Sequence, residues 1–188
     1  VLVNTDLGRY KHFGEDLISE LLERQFVIDG PLHASVGRKI EVEAENLRLV
    51  ATEWSAEPNL LTAQRVRARV DTWSLISGPI RIESLEIDGV RIALESQEDG
   101  AANWALGGPK VVPELADDDL SRPSLPLLVE DARITNVDLS FNSPGRPRPF
   151  IFRGQLSAGT STAADHLQLN IDGAIHDTPV VLEATAGP

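Results

Sequence analysis

From Phe26 onward, apolar and polar residues alternate with a period of two, the pattern of strands that are buried on one face and wet on the other. Phe26 and Ile28, then Leu32, Ala34 and Val36, are interleaved with Asp29, His33 and Ser35. Ile40, Val42 and Ala44 alternate with Glu41, Glu43 and Glu45, and Val66, Ala68 and Val70 with Arg65, Arg67 and Arg69. The pattern runs on through Ile80 and Ile82, then Val90, Ile92 and Leu94. It resumes at Val137, Leu139 and Phe141, at Phe150 and Phe152, and at Leu167, Leu169, Ile171 and Ile175. Roughly nine strands follow from this reading. No helical stretch between them is long enough for a crossover helix, so the sheet is expected to be antiparallel.

Ahead of the strands, Phe13, Leu17, Ile18, Leu21 and Leu22 recur at helical spacing, with Glu15, Asp16, Glu20, Glu23 and Arg24 on the other faces. This predicts a helix over about residues 11–25 that packs its apolar stripe on the sheet. Three strands end alike, in Ile28-Asp29-Gly30, Ile87-Asp88-Gly89 and Ile171-Asp172-Gly173. Asp-Gly tolerates positive φ, so each is expected to make a tight reversal in a meander. Residues 97–125 break the alternation with Gly100, Gly107, Gly108, Pro109, Pro113, Pro123 and the run Asp117-Asp118-Asp119. The expected organisation is a membrane-proximal segment and helix over 1–25, a first sheet segment over 26–96, a long loop over 97–125, and a second segment over 126–188 continuing the same sheet.

Two charge combs fix a register. Paired antiparallel, Glu41, Glu43 and Glu45 meet Arg69, Arg67 and Arg65, and in the same register Val42 faces Ala68 and Ala44 faces Val66. Further along, the apolar parity flips on both strands at one level, to Leu47 and Leu49 and to Leu61 and Ala63. The flip predicts bulges or strong twist near Asn46 and Gln64, or else apolar groups exposed on the opposite face at the hairpin tip.

Composition narrows the function. Seventeen basic against twenty-nine acidic side chains give a net charge of −12, which disfavours nucleic acid and anionic membrane surfaces as partners. There are no cysteines, which removes disulfides, thiol catalysis and cysteine zinc sites. No methionine is present, even at position 1, so the chain reads as a piece of something longer. No apolar run approaches the ~20 residues of a membrane span, although Val1-Leu2-Val3 is compatible with the last residues of one. His12, His33, His166 and His176 are scattered without metal-ligand spacing,. The aspartate run lacks the alternating ligands and distal glutamate of a calcium loop. No nucleophile elbow, phosphate loop or dinucleotide fingerprint occurs. Neither an enzyme nor a cofactor or metal is expected.

Several words of the sequence resemble the AsmA family. They are Gln25-Phe26-Val27-Ile28-Asp29-Gly30-Pro31-Leu32, the strand Ile40 to Leu49, Glu53-Trp54-Ser55, and Leu60 to Val70. Leu75-Ile76-Ser77-Gly78 and Ile80 to Glu95 follow, then Asp99-Gly100-Ala101-Ala102-Asn103-Trp104, the most specific of them, and Leu125 to Pro149. The resemblance implies a protein at the periplasmic face of the inner membrane, held by an upstream anchor and related to bridge-like lipid transfer proteins. It also implies an antiparallel sheet curled into an apolar groove, a role in phospholipid transport or outer-membrane integrity, and no catalytic residues. The periodicity alone favours a closed β-sandwich, whereas the resemblance favours a mainly β protein with one N-terminal helix and an open β-groove. The candidate groove floor for phospholipid acyl chains is Ile28, Leu32, Val42, Val66, Val70, Ile82, Ile92 and Leu94. The rival expectation is a structural or protein-interaction module of the cell envelope, with partner proteins unspecified.

Overall fold

The computed structural model describes residues 3–6, 11–74, 80–105, 127–161 and 166–186. The chain order is β1 (Val3–Asp6), α1 (Lys11–Leu22), β2 (Phe26–Ile28), β3 (Leu32–Val36), β4 (Lys39–Val50), β5 (Asn59–Asp71), β6 (Ile80–Asp88), β7 (Arg91–Glu95), β8 (Leu127–Val129), β9 (Asp131–Asn142), β10 (Phe150–Ser161), β11 (His166–Ile175) and β12 (Thr178–Ala186). All twelve strands belong to one curved sheet. Among the described residues no second sheet lies against it, so the two-layer sandwich is not formed.

Long strands serve as templates for pairs of short ones. β4 pairs with β3 along one half and with β2 along the other. Between them, Pro31 lacks an N–H to donate, and its carbonyl accepts from Glu45 N at 3.1 Å,. β5 likewise carries β6 and β7 end to end. The charge combs stand in the expected register, Glu41 opposite Arg69, Glu43 opposite Arg67 and Glu45 opposite Arg65. Arg67 Nη2 lies 3.1 Å from Glu43 and Arg69 Nε 3.2 Å from Glu41. Exposed pairs of this kind contribute roughly 0.2–1 kcal/mol each, enough to select a register though not to hold a sheet.

The expected all-antiparallel sheet needs one correction. β8 and β9 run parallel to β6, and β9 runs parallel to β7. The chain leaves the sheet at Glu95, beside Asn142, and re-enters at Leu127, beside Ile80 at the far end. Parallel neighbours need a connection of a dozen or more residues. The Pro/Gly/Asp-rich interruption between Glu95 and Leu127 is long enough to supply it. Residues 106–126, including the aspartate run, lie outside the described residues.

The Asp-Gly expectation is also corrected, because none of the three makes a reversal. Asp29-Gly30 joins β2 to β3, which continue in one direction along β4, and Asp88-Gly89 joins β6 to β7 along β5. Asp172-Gly173 lies within β11. All three sit on one line across the sheet, a crease. On this line Asn46 (φ 53°), Gly89 (φ 66°) and Asn136 (φ 53°) take left-handed backbone. Gln64 has no Cα partner in β4, and β9 slips one residue against β10 between Val137 and Ile134. The parity flip expected near Asn46 and Gln64 is therefore a bulge on each strand. With both strands bulged at the same level, the apolar face continues unbroken.

Helix α1 is shorter than the expected 11–25 and ends where Glu23 turns to φ 48°. The side chains of Phe13, Leu17 and Leu21 lie outside the described residues. Its Lys11, Glu15 and Ser19, one turn apart, face the free edge of β2. Ile28 N donates to Glu15 Oε1 at 2.7 Å, Phe26 N to Ser19 Oγ at 2.8 Å, and Lys11 Nζ donates to Gly30 O at 3.3 Å. Glu15, placed by its spacing on a polar outer face, is instead buried. An uncovered strand edge is a template for wrong pairing, and this helix covers one with side chains.

Candidate functional site

The apolar positions of successive strands line up in rows that cross the sheet. One row runs Leu32, Ala44, Val66, Ile87, Ile134, Leu156, Ile171, Leu182, on eight consecutive strands. The next runs Ala34, Val42, Ala68, Leu85, Ala132, Ala158, Leu169, Ala184. A third, nearer the turns, joins Val36, Ile40, Val70, Ile82 and Val129. On the other side of the crease lie Ile28, Leu47 and Ala63, with Val90 and Val137 in the same cluster. Beyond them come Phe26, Leu49, Leu61, Ile92, Leu139, Phe152 and Ile175.

Seven of the eight candidate floor residues fall in these rows, and Leu94 lies two residues beyond Ile92 on the same strand face. Leu32 and Val66 share the first row; Val42 lies in the second; Val70 and Ile82 pair in the third. Ile28 and Ile92 lie across the crease, and Leu94 pairs with Phe141 at the far end. They do not form one pocket. Ile28 is buried in the packed core, whereas Leu32, Val42, Val66, Val70, Ile82, Ile92 and Leu94 are half-buried.

The crease divides the face into two halves. On one side Ile28, Leu47, Ala63, Val90, Val137 and Phe152 are buried together; Ala44, across the crease, belongs to the same cluster, and Leu32, Val66, Ile87, Ile134, Leu156 and Ile171 of the first row pack against it. On the other, the first two rows contain no buried residue except the small Ala34 and Ala44. Filling differs too. Phe26, Phe141, Phe150 and Phe152 stand in the closed half, while the second row of the open half holds five alanines. Aromatic rings fill space above a sheet; alanines leave it free.

The closed end is locked by a residue whose role periodicity does not reveal. Asn103, in the most specific family word, is fully buried. Its Oδ1 accepts from Glu95 N at 2.9 Å, and its Nδ2 donates to Ala93 O at 2.8 Å and to Ser55 Oγ at 3.3 Å. The Glu95 carboxylate accepts from Ala56 N at 3.0 Å and Glu57 N at 3.1 Å. The Trp54 turn and the Asn103 turn are thereby fastened to β7, and Trp104 sets its ring edge-on to Phe141 at 5.6 Å between centroids.

The crease has its own polar knot on the wet face. Asp88 Oδ1 accepts from Thr135 Oγ1 at 2.6 Å and from Asn136 Nδ2 at 2.7 Å. Those two bonds, the Thr135 hydroxyl first, hold its carboxyl below the usual carboxylate range. The Gly89 N–H and Arg65 add to this, and desolvation opposes it. Elsewhere on the wet face an open hollow is lined by His33, Glu41, Glu43, Arg67, Arg69 and Glu86. Its glutamates and arginines are largely spent on one another in the combs. Among the described residues no three His, Asp or Glu side chains gather to hold a metal ion, and no helix is long and apolar enough to cross a membrane.

One large curved sheet with an apolar face, and among the described residues no second sheet upon it, is the architecture of a β-groove. The chain belongs to the AsmA family, whose model matches residues 2–134. No curated protein and no solved structure gives a match.

Proposed function

We propose that the open half of the apolar face binds phospholipid acyl chains, and that the protein takes part in phospholipid transport or outer-membrane biogenesis without chemistry of its own. The observation that carries this reading is the alanine-rich row beside the Leu32–Leu182 row. Together they form an apolar strip eight strands wide, half-buried over most of its width, with Ala34 and Ala44 buried, Leu182 and Ala184 exposed at the β12 edge, and little bulk along the alanine row. Apolar surface of that extent on a soluble face calls for a partner, and alkyl chains need only an apolar lane with no hydrogen-bonding groups. Membership of the AsmA family points the same way. In this reading the protein works at the periplasmic face of the inner membrane, and the upstream span implied by the family resemblance would join β1 at Val3, which pairs with Val36 at the open end.

Mass spectrometry of organic extracts from the purified chain tests the reading. Co-purifying phospholipid, or uptake of a fluorescent phospholipid that Ala68→Trp and Ala132→Trp block by filling the alanine row, is the expected result. No bound phospholipid and no uptake would leave the chain a structural or protein-interaction module.

A further inference from the structure

We infer that the alanine row is a lane one alkyl chain wide, with the chain lying across the strands, and that Leu85 is the sill that decides how long a chain it takes. The lane rests on the groove reading above and gives it a width and a length. Along the row Leu85 of β6 stands between Ala68 of β5 and Ala132 of β9. Leu169 of β11 likewise stands between Ala158 of β10 and Ala184 of β12. Val42, between Ala34 and Ala68, is a lower step.

The width follows from the rows on either side. On β5 the three rows are Val66, Ala68 and Val70, so the outer two are four residues apart, roughly 13 Å. A methylene chain needs about 4 Å from its carbon centres to those of each wall, and the branched wall side chains take up part of the remainder. One chain fits between the walls, and two side by side do not. The walls differ in backing. Val66, Ile87, Ile134 and Leu156 of the first row pack against the buried cluster of the closed half. Ile40, Val70, Ile82 and Val129 of the third row are half-buried.

The length follows from Leu85 and Leu169. Both are half-buried, and among the described residues neither belongs to the side chains packed on that cluster. They rise from the lane floor without serving the core. Three strand spacings separate Leu85 from Leu169, and three separate Leu85 from Ala34, which makes each stretch roughly 14 Å long. A short acyl chain lies within one stretch; a long one has to climb over the Leu85 side chain and lose contact with the floor.

Displacement of a fluorescent phospholipid by lauroyl, myristoyl, palmitoyl and stearoyl lysophosphatidylcholine tests the sill. Each newly buried methylene strengthens binding by up to about fourfold. In the unmodified chain this gain is expected to level off along the series, where the acyl chain meets Leu85. Leu85→Ala should carry the rise through to the stearoyl lipid, binding it about tenfold or more tightly than the unmodified chain does, with the lauroyl lipid little changed. Leu85→Trp should end the rise earlier. Ile40→Ala, which lowers a wall and leaves the sill, should weaken every member. Thermal melts of each variant check that folding is intact. Native mass spectrometry tests the width, with at most two lauroyl lipids bound, one on each side of Leu85, and a single stearoyl lipid. Uniform weakening in Leu85→Ala, a chain-length profile unmoved in both Leu85 variants, or lauroyl lipids bound in greater number each overturns the lane and leaves the groove standing. No lipid bound by the unmodified chain removes the groove reading, and the lane with it.

Discussion

The two halves of the apolar face are written in the same alternation and end as different surfaces. In the closed half, phenylalanines and the Asn103 lock fill and fasten the rows, and Ile28, Leu47, Ala63, Val90 and Val137 are buried. In the open half the same period-two pattern places Leu, Val, Ile and Ala, and in its first two rows only the small Ala34 and Ala44 are buried. What separates the halves is the bulk of the side chains and the crease between them. A period-two pattern states which face is apolar; it does not state whether that face is filled.

The largest test of this difference is a matched pair of truncations. Phe152→Ala removes a ring from the closed core and is expected to cost about 3–5 kcal/mol. Leu85→Ala in the open half leaves surface that already meets solvent, and is expected to cost roughly 1–2 kcal/mol. Urea unfolding at one pH measures both. Equal losses would show that the open half is as tightly packed as the closed one. Next in size, Asn103→Ala strands the Glu95 N–H and the Ala93 carbonyl in a buried site and should cost about 2–3 kcal/mol. Asn103→Asp, which restores the acceptor and lacks the amide donor, should recover only part of that.

Much of this difference could be read in advance, and the rest could not, for identifiable reasons. The Glu41–Glu45 and Arg65–Arg69 combs gave away their register because charge and apolar partners match at only one offset, and the common parity flip located the bulges at Asn46 and Gln64. The single apolar face follows from alternation, so all eight candidate floor residues fall on it. Asp29-Gly30, Asp88-Gly89 and Asp172-Gly173 misled because Asp-Gly serves a bulge or a close approach as well as a reversal. Gly173 sits where a side chain would strike the backbone of Arg153 and Gly154. The parallel seam was hidden because the stretch between Glu95 and Leu127 carries no helical period in the sequence. Helix spacing alone places Glu15 in solvent because it says nothing about a neighbouring strand edge; the repeat Lys11, Glu15, Ser19 is the available signal. Asn103 carried none outside the family word.

The crease can be strained directly. Gly89 holds φ 66°, and a Cβ there would come within 2.5 Å of the Gln64 side chain. Gly89→Ala therefore combines an unfavourable backbone with a clash and should cost about 1–2 kcal/mol. Gln64→Ala removes the clash and leaves the backbone term. The double variant should thus recover part of the loss, with a coupling of about 0.5 kcal/mol or more in a double-mutant cycle. Strict additivity would mean that the Gln64 side chain simply moves aside and that the crease is set by φ alone.

The smallest expected effect concerns the knot that joins the two halves at Asp88. Its carboxyl is held below the usual range chiefly by the Thr135 hydroxyl and then by the Asn136 amide. A carboxyl whose folded pKa is depressed binds protons less readily than in the unfolded chain. Its contribution is therefore fully present above the ordinary carboxylate range and fades as the pH falls through the depressed folded value. Asp88→Asn keeps an acceptor for Thr135 and abolishes the titration. Its stability deficit relative to the unmodified chain should accordingly be present near neutral pH and shrink in acid. Thr135→Val, which removes the largest cause, should move the Asp88 titration upward toward the ordinary value, as followed by carboxyl-carbon NMR. A titration unmoved by Thr135→Val would mean that the bond across the parallel seam between β6 and β9 is not what steadies the crease, leaving the Gly89 backbone as the link between the closed half and the open one.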